Sequence, residues 1–129
     1  VLNMFLFIKS KGGDMQSASD LEHLGICLHQ RLIAGDLTVS AEIAELYLPI
    51  ITSRLERVFP HLDDVHLVDT AAEDAILNYI ARPTQYKPEK LGLEAYLVMS
   101  ARWDLVNLIN SQKKDFLIFY IHEIFADFI

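Results

Sequence analysis

A single cysteine, Cys27, stands in a chain of 129 residues, so no internal disulfide can form and a reducing compartment, the cytoplasm, is the expected setting. Only four prolines and five glycines interrupt the chain, and charged residues make up 22% of it. Such a composition excludes a low-complexity or disordered polymer and predicts long regular elements. No apolar run approaches the roughly 20 residues that a membrane-spanning helix needs. The largely apolar octet Val1 to Ile8 is followed, not preceded, by Lys9 and Lys11, the reverse of a secretory signal. With no Met at position 1, Met15 is a candidate first residue.

Metal and catalytic patterns are missing too. His23 and His29 are six residues apart, and His61 and His66 straddle an expected helix start, so neither pair has ligand spacing. Gly12-Gly13 lacks the Lys and Ser or Thr of a phosphate loop, and no nucleophile elbow surrounds any serine. No cofactor, no metal and no catalysis are expected. Cys27, between Ile26 and Leu28, reads as a small buried hydrophobe.

What the chain has in quantity is apolar residues, 52%, enough to fill one core at this length. After a leader, 1–20, ending in Asp20 as a helix cap, the pattern predicts a first helix from Leu21 to Ala34, stopped by Gly35-Asp36. A second is expected from Thr38 or Ser40 to Phe59, with Ile43, Tyr47, Ile50, Ile51, Leu55 and Val58 inward. Pro49 should bend it or split it into two. Asp63-Asp64 opens a third helix, whose stripe is Leu67, Val68, Ala71, Ala75, Ile76, Tyr79 and Ile80, and Pro83 closes it. A proline-containing loop leads to a fourth helix, from Leu91 or Gly92 to Ser111, turning Leu93, Tyr96, Leu97, Ala101, Leu105 and Leu108 inward. Short connections between four helices predict an all-α antiparallel bundle. The tail 115–129 is so apolar that a fifth helix or strand, packed on the bundle or on a second copy of the chain as a homodimer, is expected there, with a membrane-surface or partner-docking role as the alternative.

Net charge is −7, but it is unevenly spread. Residues 1–74 hold five basic and twelve acidic side chains, whereas residues 75–114 hold six basic and three acidic. On the third helix Asp69, Glu73 and Asp74 fall at i, i+4 and i+5, so Asp69 and Glu73 share one face with Asp74 beside it, the pattern of a solvated acidic face. The loop and fourth helix carry Tyr86, Lys87, Lys90, Arg102, Trp103, Asn107, Asn110, Lys113 and Lys114.

The stretch Tyr86-Lys87-Pro88-Glu89-Lys90, followed by Tyr96-Leu97 and Ala101-Arg102, resembles conserved region 2 of bacterial RNA polymerase sigma factors of the extracytoplasmic-function, sigma-70-like type. Asp69-Thr70-Ala71-Ala72-Glu73-Asp74-Ala75-Ile76 resembles the acidic signature upstream, and Arg31 to Asp36 with Leu46-Tyr47-Leu48-Pro49 resembles the start of such domains. The likeness covers about residues 21–114. It departs from the pattern at Lys87, at Leu91-Gly92, at Trp103, and at a basic end reduced to Lys113-Lys114. The resemblance implies a transcription initiation module that binds core RNA polymerase, through the largest subunit's clamp coiled coil, with Asp69, Glu73 and Asp74. It also implies that the loop and fourth helix hold the non-template strand of minus-ten promoter DNA. A helical protein-interaction module that has lost DNA binding is the alternative.

Overall fold

A computed structural model of the chain describes residues 18–126; the leader to residue 17 and the final residues 127–129 lie outside the described residues. Four α-helices follow one another: α1 Ala18–Ile33, α2 Val39–Val58, α3 Val65–Ala81 and α4 Leu93–Ala126, with a 3-10 turn, Pro83–Gln85, between the last two. They form an all-helical bundle, as the periodicity predicts.

Each boundary has a local cause. Gly35 adopts φ 86°, the left-handed conformation that glycine tolerates, and so ends α1 where the Gly-Asp pair indicates. Asp36 then accepts from the Thr38 backbone N–H at 2.9 Å, from the Thr38 hydroxyl at 2.8 Å and from Arg31 Nε at 2.8 Å. These bonds, the backbone one foremost, hold its carboxyl down to about 2. Arg31 also pairs with the buried Glu42, tying α1 to the start of α2. Asp64 caps α3 by accepting from His66 N–H at 3.0 Å. Asp20 is not a cap: α1 begins at Ala18, placing Asp20 in the first turn, where a carboxylate still suits the positive helix end.

Pro49 neither ends nor divides α2, which runs unbroken through it. The proline lies on the exposed side, and the Thr52 hydroxyl donates to the carbonyls of Leu48 and Pro49 at 2.9 and 3.1 Å. The larger departure is α4. It does not stop at Ser111 but continues to Ala126, because no glycine or proline lies between those residues to break it. The tail is thus the distal half of α4, not a fifth element, and its side chains from Asn110 to Ala126 are exposed and rest on nothing in the bundle.

Leu28, Ile43, Tyr47, Ile51, Leu55, Val68, Tyr79, Leu97 and Leu105 centre the core. Of the residues expected inward on α2, Ile50 is only half-buried and Val58 is exposed. Cys27 is exposed, contrary to its apolar neighbourhood: Leu24, Leu28 and Leu32, with Gly25 and His29, form the inward stripe of α1, leaving Ile26 and Cys27 outside.

Candidate nucleic-acid and partner interface

Helices α3 and α4 pack side by side, and their outer faces differ in chemistry. Asp69, Glu73 and Asp74 are all exposed on α3. They are free to face outward because Val68, Ala71, Ala72, Ala75 and Ile76 take the inward positions of the same turns. Asp74 also acts on the neighbouring helix. Burial first, and then the Asp74 charge, raise the carboxyl of Asp104 on α4 above its ordinary range. One oxygen of Asp104 is enclosed and accepts no hydrogen bond among the described residues.

On α4 the candidates Arg102, Trp103, Asn107, Asn110, Lys113 and Lys114 are all exposed. Leu93, Leu97, Ala101 and Leu105 fill the opposite, buried side. At about 100° per residue, Trp103, Asn107, Asn110 and Lys114 line up in one stripe, spaced four, three and four. Arg102 and Lys113 form a second row beside it, so Asn110 belongs with Trp103 and not with Arg102. Trp103 is 65% exposed, an uncommon position for the chain's one tryptophan, and its ring is open to a stacking partner.

The loop divides. Lys87 and Lys90 are exposed, Lys87 Nζ donating to the Thr84 carbonyl at 3.1 Å and the Lys90 backbone N–H to the Lys87 carbonyl at 3.0 Å. Tyr86 does not join them: it is 4% exposed, and its hydroxyl donates to the Leu91 carbonyl at 2.6 Å. Its ring meets His29 edge-on at 4.9 Å, Tyr96 at 4.9 Å and Tyr79 at 5.9 Å. Tyr86 therefore offers no face to a nucleic-acid base. It closes the loop on the bundle, and burial raises its hydroxyl above the ordinary range.

Two features escaped the sequence. A shallow depression of about 460 Å³ opens between α2 and α4, floored by Ala95, Val98 and Val106 and rimmed by Arg54, Arg102 and Trp103. Arg54 reaches it by pairing with Glu94 across the helices at 2.9 Å. Forty positions separate that pair, so no local spacing announces it. Asp104 was likewise hidden, since its place against α3 depends on the crossing of two helices.

The geometry thus holds an acidic outer face, a cationic and aromatic outer face beside it, and a shallow cleft at the latter's edge. No protein-family model, no curated protein and no solved structure matches this chain.

Proposed function

We propose that this chain is a sigma-factor-like, non-enzymatic transcription initiation module that works in the cytoplasm. In this reading α3 docks on core RNA polymerase, at the clamp coiled coil of its largest subunit, through Asp69, Glu73 and Asp74. Arg102, Trp103, Asn107, Asn110, Lys113 and Lys114 of α4, with Lys87 and Lys90, hold the non-template strand of the minus-ten promoter element. The observation that carries it is the segregation of exposed chemistry: carboxylates on α3, and cations, amides and a bare indole on α4.

Physically the two faces suit two ligands. Carboxylates at i, i+4 and i+5 present a row that guanidinium groups can engage with paired hydrogen bonds. An exposed ring with cations along its row suits a strand whose bases are already unstacked, because stacking tolerates any base while the cations follow the phosphates. Tyr86 serves this reading as a positioning residue, fixing the loop that presents Lys87 and Lys90.

Titrating a fluorescent single-stranded minus-ten oligonucleotide tests the strand half, with binding expected to weaken as salt is raised, by about 0.7 power of salt per phosphate contact. Binding to an isolated clamp coiled-coil fragment, lost on Asp69→Arg with Glu73→Arg, tests the other half. The burial of Tyr86 and the net charge of −7 favour a second reading, a protein-interaction module without DNA binding. Retained coiled-coil binding with no strand binding at low salt would select it.

A further inference from the structure

The distal half of α4 projects as a bare apolar rod. Phe116, Leu117, Ile118, Phe119, Tyr120, Ile121, Ile124 and Phe125 are between 40% and 65% exposed. Isolated helices of about this length are marginal in water unless an apolar face is packed. The exposed apolar surface also exceeds the few hundred Å² that a monomer ordinarily leaves bare. Such a surface calls for a partner.

We infer that it is a second copy of this chain, paired antiparallel over residues 114–125 of α4. Two observations choose that occupant. First, Lys114, Ile118, Ile121 and Phe125 recur at four, three and four residues, the seam spacing of paired helices, with Leu117 and Ile124 along one flank. Second, the rod matches itself when reversed. A two-fold axis near Phe119 sets Ile118 of one copy against Ile121 of the other, and Asp115 on the remaining flank against the other copy's His122, twice over. A lipid surface fits less well: interfacial helices carry a basic polar face, whereas here Lys113 and Lys114 are offset by Asp115 and Glu123.

The seam continues the row of Trp103, Asn107 and Asn110 along the same helix and shares Lys114 with it, so Lys114 stands at the junction of the two faces. The inference does not depend on what that face binds.

Light scattering on the full chain across a concentration series reads the result. The expected mass is twice 14.7 kDa. Ile118→Glu with Ile121→Glu halves it while the helical circular dichroism of the bundle persists, and Phe119→Ser, outside the seam, leaves it doubled. Should the double variant aggregate, Asp115→Lys is expected to weaken the dimer at least tenfold and His122→Glu in the same chain to restore it. A single mass at about 100 µM, a seam variant that stays doubled, a failed restoration, or a monomer that sediments only with phosphatidylglycerol vesicles would each overturn the inference.

Discussion

His29 Nδ1 and the Tyr79 hydroxyl lie 2.6 Å apart in the interior, joining α1 to α3 across fifty residues of sequence. The two rings stack at 5.8 Å, and Tyr86 and Tyr96 complete an aromatic cluster around them. Burial lowers the His29 pKa, so the imidazole stays neutral, and burial raises that of the Tyr79 hydroxyl, which stays protonated. Tyr79→Phe is expected to lower unfolding free energy by about 1–3 kcal/mol, since it leaves an enclosed imidazole nitrogen without its partner. Urea titration of both proteins measures it.

The same imidazole makes stability depend on pH. Unfolded, His29 takes a proton near pH 6.5; folded, it resists one, because its pKa is depressed. Its contribution is therefore fully present above about 6.5 and declines as pH falls below that value, where the unfolded chain binds the extra proton. The denaturation midpoint should drop between pH 7.5 and pH 5, and the drop should shrink in His29→Gln. An equal drop in that variant would place the effect elsewhere.

Asp104 has the opposite sign. Its folded pKa is raised by burial and by Asp74, so its charge opposes folding above the ordinary carboxyl range, and that cost is relieved as pH falls. Asp104→Asn should stabilise the bundle at pH 7 by about 1 kcal/mol or less, because solvent screens much of the repulsion. Asp74→Asn should recover part of the same gain. Thermal melts of the two single variants and the double variant measure both effects and their coupling.

The all-helical class, the Gly35 stop, the Asp64 cap and most inward residues were legible in the sequence, because each rests on local chemistry or on a repeat of 3.6 residues. The Asp69, Glu73 and Asp74 patch and the exposure of the candidate residues on α4 were legible for the same reason, as positions left over once the stripe is assigned, but their division into two rows was not: Arg102, Asn110 and Lys113 read as one face. Tyr86 was not. A tyrosine among lysines and prolines reads as a surface ring, and only the arrival of α1 with His29 and of α4 with Tyr96 encloses it. Pro49 misled because its cost depends on which side of α2 faces solvent. The length of α4 was obscured by Lys113-Lys114-Asp115, which look like an ending, but the lysines are good helix formers and no glycine or proline follows.

Trp103 would separate the proposed strand binding from folding. Because the indole is largely bare, Trp103→Ala should change the urea midpoint little, within about 0.5 kcal/mol. The same variant should weaken single-strand binding by about 1–3 kcal/mol, the worth of one stacked base. As the chain's one tryptophan, it also reports directly: its fluorescence should be quenched when the strand is added. Quenching absent at saturating strand would move the stacking surface away from Trp103.

Gly25 tests how closely α1 is drawn into the bundle. A β-carbon built there would sit 3.0 Å from the Tyr47 hydroxyl oxygen and 3.3 Å from Leu93 Cβ, so α1 meets α2 and α4 nearly backbone to side chain at this turn. Two effects compete in Gly25→Ala. Helix propensity favours alanine by about 1 kcal/mol. Overpacking costs about 1–3 kcal/mol, and here neither neighbour can yield cheaply: Tyr47 and Leu93 are both buried, one on α2 and one in the first turn of α4. The steric cost should win, lowering stability by about 1 kcal/mol. The double change with Tyr47→Phe removes the closer of the two contacts and should show coupling between the sites. A Gly25→Ala protein more stable than the parent would mean that α1 packs further from α2 and α4 than these distances say.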